Sequence, residues 1–347
     1  MVNQTGNDIQ FRIFCGNTDL NNTTLENIKT DTWVNYNGNT QVWYASADKR
    51  SDSILKQVDI VKPDILYMVG IFSWHFNIVP FIFSKVATKI ISVRGMLHPG
   101  ALTQKRHKKQ LFLKIARMFN LQKNAIFHAT DEKEAVYIKN IFGEDIRVTI
   151  AGNFPRKLRP SPLLLKEPYK LKLLTIGLIS PMKNHLLVLQ SLKQCTSGVE
   201  YHICGPVKDM EYWQLCLAQI RDLPSNISVH YHGEVQPQSI EEYLAKAHVF
   251  ILPSKSENFG HAIYEALSAG KPVITSFFTP WQNLETAHAG LNVELSEISI
   301  KNGIQVFVAM DETEFRSWRD SAVEYARTII NIEDIKLQYK NVFTVKN

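Results

Sequence analysis

The sequence predicts an α/β fold of two domains, each a doubly wound parallel sheet, and three observations predict it. The chain has 347 residues, more than one small core organises and enough for two domains of roughly 150 residues each. Short apolar runs alternate with stretches of helical periodicity along most of its length, the pattern of successive βαβ units. That alternation pauses over residues 153–168 (NFPRKLRPSPLLLKEP), where four prolines mark an interdomain linker. The expected organisation is a first domain over 1–152, the linker, and a second domain over 169–330, with 331–347 crossing back to the first.

Residues 9–14 (IQFRIF) and 41–44 (QVWY) are β-type runs, and the Asn- and Thr-rich segment between them reads as irregular. Ile54, Leu55, Val58 and Val61 recur at helical spacing before Pro63, so a helix is expected over 51–61. Residues 65–84 carry no charge and are long enough to span a bilayer. Gly70, Ser73, His75, Asn77 and Pro80 interrupt them, so a buried strand (65–69), a loop and a buried helix (78–86) fit better. Strands are then expected at 89–93, 125–128 and 146–150, with helices over 101–121 and 132–142. After the linker come strands at 172–176, 200–204, 227–231 and 249–252. Helices are expected over 185–194, 211–221, 240–246, 297–306 and 314–330.

Composition narrows the class. Hydrophobic content of 45% and charged content of 21% are those of a soluble globular chain. Cys15, Cys195, Cys204 and Cys216 form neither a Cys-x-x-Cys pair nor a metal spacing, which points to a reduced, cytoplasmic setting. Residues 1–7 are polar and do not read as a signal peptide. The net charge of +6 is uneven: residues 1–150 hold 19 Lys and Arg against 13 Asp and Glu, and residues 151–347 hold 20 of each. Residues 101–124 contain Lys105, Arg106, Lys108, Lys109, Lys114, Arg117 and Lys123 with no acid, around Leu111, Phe112, Ile115, Met118 and Phe119. A basic amphipathic helix of this kind suits the inner face of an anionic membrane, or simply packs on a core with a solvated basic face. No nucleic-acid partner is expected.

The densest chemistry lies at 252–275, LPSKSENFGHAIYEALSAGKPVIT. Apolar Phe250–Leu252 stop at Pro253, Asn258 suits a helix N-cap, and Ala262, Ile263, Ala266 and Leu267 share one helical face. Gly270 suits the residue after the helix, and Lys271-Pro272-Val273-Ile274 opens the next strand. Glu257 falls in the turn before the helix and Glu265 in its second turn. The amides of Gly260 and His261, after Asn258 and Phe259, stand at a helix start suited to an anion. A second candidate turn is Gly177 at the end of a strand, with Lys183 opening the next helix, a combination that can hold a diphosphate. No Gly-x-Gly-x-x-Gly, Walker loop or Gly-x-Ser-x-Gly occurs, and no Asp-x-Asp or zinc-type His/Cys cluster that would call for a metal.

These two stretches resemble the donor-nucleotide motifs of retaining GT-B glycosyltransferases of family 4 (glycosyl transferases group 1). In the first domain Arg94-Gly95-Met96-Leu97, Ala101-Leu102 and His128-Ala129-Thr130-Asp131 with Glu134 resemble a subgroup that makes bacterial surface polysaccharide. Trp33, Trp43-Tyr44, Asn153 and Thr279-Pro280-Trp281 extend the likeness over nearly the whole chain. The resemblance implies the GT-B fold, two Rossmann-like domains facing a cleft. It also implies a nucleotide-sugar donor, UDP- or GDP-linked, used as a substrate with no cofactor, and a saccharide or lipid-linked saccharide acceptor. Glu257 would sit by the donor sugar and Glu265 would accept from the ribose. Lys183 and the Gly260 and His261 amides would meet the departing diphosphate, and Arg94 would face the ligand crevice. Leu178 stands where the family usually has arginine. Family members also begin with a strand, a glycine-rich turn and a helix ahead of what matches residues 9–14, so the first domain is expected to lack its first strand and helix. An inactive relative serving as a binding partner and a sugar-nucleotide epimerase are the alternative readings.

Overall fold

The computed structural model describes residues 1–5, 8–19, 23–48, 50–98, 101–102, 106–118, 120–156 and 158–344. The chain divides into two compact units, Met1–Phe154 with Ile332–Asn347, and Pro155–Asn331.

The second unit is built on six strands: β8 (Lys170–Ile176), β9 (Gly198–Cys204), β10 (Ile227–Tyr231), β11 (Val249–Leu252), β12 (Val273–Ser276) and β13 (Gly290–Val293). Their order is β10-β9-β8-β11-β12-β13, and every pairing is parallel. All residues of β11 and β12 are buried, as expected for strands covered on both faces. Thr175 ties the centre of this sheet, with its hydroxyl bonded to the Tyr201 hydroxyl at 2.8 Å and donating to the Ile251 carbonyl. Gly205 (φ +143°) lets the β9 exit pass so close to β8 that a Cβ would lie 2.0 Å from the Gly177 carbonyl oxygen.

Strand order reverses between β8 and β11, because the chain winds outward first to β9 and β10 and then to β12 and β13. In such sheets the loops leaving the two central strands diverge and leave a ligand crevice at their carboxyl ends. Those loops are 177–184 and 253–260.

Among the described residues the first unit holds two sheets. β1 (Phe11–Gly16) pairs in parallel with β3 (Thr40–Ala45), and β2 (Trp33–Asn37) pairs antiparallel with β3. β4 (Ile65–Val69), β5 (Thr88–Ser92), β6 (Ile126–Ala129) and β7 (Arg147–Ile150) form a separate, all-parallel sheet. The described helices of this unit are α1 (Arg50–Val61), α2 (Val79–Phe83), α3 (Arg106–Met118), α4 (Glu132–Phe142) and, from the chain's end, α11 (Ile332–Thr344). Those of the second unit are α5 (His185–Leu192), α6 (Met210–Arg221), α7 (Ile240–Ala245), α8 (His261–Ser268), α9 (Glu297–Ala309) and α10 (Glu312–Ile329).

Several expectations are corrected. The segment expected to be irregular contains β2, held by Trp33 donating to Gln57 Oε1 at 2.9 Å. The proline-rich stretch is no free linker. From Pro155 it packs on the second unit, with Leu158 buried and donating to Ser268 Oγ at 3.2 Å, and Ser161 donating to the Ala269 carbonyl at 2.9 Å. Lys166, 3% exposed, ends it by donating to the Val308 and Met310 carbonyls at 3.3 and 3.2 Å. The uncharged stretch 65–84 keeps the expected strand at 65–69, while the helix expected over 78–86 is only Val79–Phe83, preceded by one π-turn over Trp74–Ile78. Among the described residues no helix is long and apolar enough to cross a membrane.

Candidate functional site

The β8/β11 switch point brings together two of the charged groups singled out in the sequence. Lys183, in the turn after β8, and Glu257, in the turn after β11, meet directly, with Lys183 Nζ 2.5 Å from Glu257 Oε1. Ser254 Oγ donates to the same oxygen at 2.7 Å. Glu257 is 9% exposed in its side chain and Lys183 22%, so the pair stands at a partly desolvated surface where an anion feels Lys183 strongly. The two turns are also joined through the backbone, Lys255 donating to the Met182 carbonyl at 2.9 Å. A Cβ on Gly177 would meet only Leu252 and Lys183, at 3.9 and 4.0 Å. The fold therefore leaves room there, beside the lysine, without requiring glycine for the backbone.

Asn258 is not the helix cap. Gly260 holds that place in a left-handed conformation (φ +77°), and α8 starts at His261. A Cβ at Gly260 would sit 3.1 Å from both Ile263 Cδ1 and Trp281 Nε1. Both the dihedral and the space therefore demand glycine. Trp281, 2% exposed, donates from Nε1 to the Phe259 carbonyl at 2.5 Å and meets the Phe259 ring edge-on with centroids 5.4 Å apart. Asn292 in turn donates to the Trp281 carbonyl at 2.8 Å. Asn258 and His261 are exposed on either side of this clamped turn. The sequence flagged Thr279-Pro280-Trp281 as part of a likeness; its role in holding the helix start appears only in three dimensions.

Glu265, one turn into α8, is half-buried, and burial pushes its carboxyl above the usual range, partly offset by the charge of Arg156. The Arg156 guanidinium itself goes to the Pro237 carbonyl at 2.5 Å and to Glu241 at 3.4 Å. Leu178, in place of an arginine, is half-buried, and its carbonyl bonds to His185 Nε2 at 3.2 Å. His185 is 1% exposed, and burial lowers its pKa to about 4, so the imidazole is neutral. The Lys183 turn thus carries one cation rather than two.

Arg94 belongs to the first unit and is not gathered with Lys183 and Glu257. It follows β5 in a left-handed conformation (φ +51°) and donates to Asn153 Oδ1, to the Tyr339 hydroxyl at 3.1 Å and to the Tyr67 hydroxyl at 3.4 Å. His128 closes this buried network, bonded to Tyr67 at 2.7 Å and to the Ala151 carbonyl at 2.9 Å. Glu134, 3% exposed, pins the Arg94 turn by accepting from the Gly95 amide and from both Thr130 donors at 2.7 and 2.8 Å.

Known structures share this architecture. Sucrose-phosphate synthase from Thermosynechococcus elongatus superposes with a TM-score of 0.72 at 17% identity, over 99% of this chain and 91% of that one. Anabaena HepE in complex with UDP and glucose gives 0.66 at 18% identity, over 88% and 86%. WaaG, a glycosyltransferase involved in lipopolysaccharide biosynthesis, gives 0.63 at 14%, over 90% and 89%. At these identities the likeness is one of fold, GT-B with two Rossmann-like domains. No curated protein sequence matches the chain. The family model Glycosyl transferases group 1, however, matches residues 161–284, which contain Gly177, Lys183, Ser254, Glu257, Gly260, Glu265 and Trp281 but not Arg156 or Asn292. The chain is a GT-B glycosyltransferase. In this glycosyltransferase the matched span starts in the proline-rich segment and ends just beyond Trp281, so it includes that side of the clamp as well as the charged turns.

Proposed function

We propose that this glycosyltransferase moves a sugar from a nucleotide donor, held by the second unit, to a saccharide or lipid-linked saccharide hydroxyl in the making of bacterial surface polysaccharide. The observation that carries the reading is the meeting of Lys183 and Glu257 at the switch point, beside the glycine-clamped start of α8. A donor diphosphate entering there draws Lys183 from Glu257, and Lys183 and the first-turn amides of α8 take up the charge that grows on the departing diphosphate. The freed Glu257 carboxylate then stands by the sugar, and Glu265 accepts from the ribose hydroxyls. UDP is the nucleotide we favour, since Anabaena HepE is described in complex with UDP and with UDP-glucose. The resemblance to family 4 supports retention of configuration and a reaction that takes its positive charge from Lys183 and needs no metal.

The test is a panel of UDP- and GDP-sugars offered to the whole chain with anionic-lipid-linked and free saccharide acceptors. Release of UDP that requires acceptor, a product with the donor's anomeric configuration by NMR, and no loss of rate in EDTA are expected. Donor binding without turnover for every acceptor would favour the inactive-relative reading, and turnover without acceptor the epimerase.

A further inference from the structure

Two phenylalanines stand in the open beside the switch point. Phe277 and Phe278 follow β12 and are 51% and 57% exposed, whereas Phe259 and Trp281 are folded into the clamp at the start of α8. Single apolar side chains at a surface need no explanation, but an adjacent pair held rigidly does. The turn that carries the pair is tied at every carbonyl from 276 to 279. Thr279 donates to the Ser276 carbonyl from its amide at 3.4 Å and from its hydroxyl at 3.2 Å. Gln282 Nε2 donates to the Phe277 and Thr279 carbonyls at 3.2 and 2.5 Å, and the Glu257 amide donates to the Phe278 carbonyl at 3.4 Å. Ser276 Oγ accepts from the Phe278 amide at 3.2 Å and donates to the Ser254 carbonyl at 2.5 Å, which joins the turn to the end of β11. The pair is thus fixed a single main-chain hydrogen bond away from Glu257.

We propose that Phe277 and Phe278 form a sugar-stacking rim that receives the C–H face of a pyranoside, the acceptor saccharide, and so decides which acceptor is glycosylated. Calling that pyranoside the acceptor rests on the transfer reading above. Chemistry assigns the rim to the acceptor rather than to the donor. A nucleotide sugar brings a diphosphate, and Lys183 with the α8 amides answers that charge. A neutral saccharide brings only hydroxyls and the axial C–H bonds of its ring. Those hydrogens are weakly positive and the face of an aromatic ring is negative, so the two surfaces meet while the equatorial hydroxyls stay in water. Apolar area leaves water on both sides of the contact. Because the turn is already fixed, little loop entropy is lost when the sugar binds. An axial hydroxyl on the stacked face holds the rings apart, so the rim discriminates by configuration.

The binding test offers methyl β-glucopyranoside to the full chain in the presence of UDP. Saturation transferred by NMR from the aromatic protons should fall on the ring C–H protons of the glucoside. Sorbitol, which carries like hydroxyls without a ring face, should receive none. Phe277→Ser combined with Phe278→Ser leaves the main-chain bonds of the turn in place. That variant should lower glucoside affinity at least about tenfold and keep UDP affinity, by calorimetry, within about twofold. Phe277→Tyr with Phe278→Tyr, which keeps both ring faces, should bind like the parent.

No transfer to the glucoside in the parent chain, or unchanged affinity in the double serine variant, overturns the proposal. UDP affinity falling in step with glucoside affinity overturns it too, and puts the rings on the donor or in the framework of the turn. Failure of the transfer reading shows itself separately, as no acceptor-dependent UDP release from the unaltered chain. With an acceptor from the panel above, the double serine variant should raise the acceptor KM about tenfold while kcat and the donor KM stay within about twofold. A fall in kcat with the acceptor KM unchanged overturns a binding role for the rim.

Discussion

Glu257 Oε1 accepts from Lys183 and Ser254 at once, so the carboxylate is fixed before any donor arrives. Glu257→Gln keeps the shape and removes the charge. It should lower kcat/KM by about 10²–10³, the usual loss for one preorganised electrostatic group, with a melting temperature within a few degrees of the parent. Near-normal transfer by a well-folded variant would remove Glu257 from the mechanism. Glu265 makes a separate, pH-readable claim. Burial raises its pKa, so it gains a proton at higher pH than an exposed carboxylate does, and a protonated carboxyl no longer accepts from two ribose hydroxyls. Calorimetry should show UDP affinity falling as pH drops through that raised pKa, and Glu265→Gln should bind more weakly at pH 7 but with a flatter profile. An unchanged profile in that variant would assign the pH dependence elsewhere. At Gly260 the left-handed dihedral and the 3.1 Å approach to Trp281 predict that Gly260→Ala costs about 1–3 kcal/mol of stability and weakens donor binding, checked by denaturant titration.

The element that differs most from its sequence reading is α3. Leu111, Ile115 and Met118 were candidates for its core face, yet they are 60%, 41% and 68% exposed, one apolar stripe toward solvent. Leu113 and Ala116 are the buried residues, with Phe112 against the core beside them. Exposed Lys108, Lys114 and Arg117 flank the stripe; Lys105 and Phe119 lie outside the described residues. An apolar stripe between cations is the face a membrane-surface helix presents. Liposome cosedimentation should require anionic lipid and weaken with salt, and Leu111→Ser with Ile115→Ser should reduce it severalfold. Equal binding to neutral vesicles would refute an electrostatic component.

Strands such as β11 were legible because continuous burial leaves an apolar run that stops at proline. β2 was not, although only Gly38 and Asn39 separate it from β3 in an antiparallel hairpin, because the asparagines within and around it carry turn chemistry. β13 was missed because it is only four residues long and is interrupted by Asn292, which turns to the Trp281 carbonyl. At the site, the charged residues were legible from their spacing across two turns. The Lys183–Glu257 meeting and the Trp281 clamp were not, because both depend on strand order, which no local pattern encodes.

At the scale of the whole molecule, three buried histidines couple the folding of both units to pH. His128 in the first unit and His185 and His248 in the second each have a pKa lowered to about 4 by burial. All three rings are bonded as neutral imidazoles, His248 accepting from the Lys172 amide at 3.0 Å and meeting the Leu165 carbonyl at 3.1 Å. The unfolded chain takes up a proton on each near pH 6.5, whereas the folded chain does so only near 4. Their stabilising contribution is therefore fully present above about pH 6.5 and is lost as pH falls toward 4, about 2 kcal/mol for each histidine by pH 5. Ordinary carboxylates titrate little between pH 6.5 and 5, so a fall in melting temperature across that window belongs to histidines, with His202 and His232, also lowered by burial, adding to the second unit's share. With two of the three, the second unit should weaken faster than the first, visible as earlier loss of protection in α5 and β8 than in β5 and β6 by hydrogen exchange. His248→Gln, which does not titrate, should be less stable at pH 7 yet lose less on acidification. A melting temperature that stays level from pH 7 to 5 would mean that the unfolded chain gains no protons on these rings relative to the folded one, and that water reaches them in the native state.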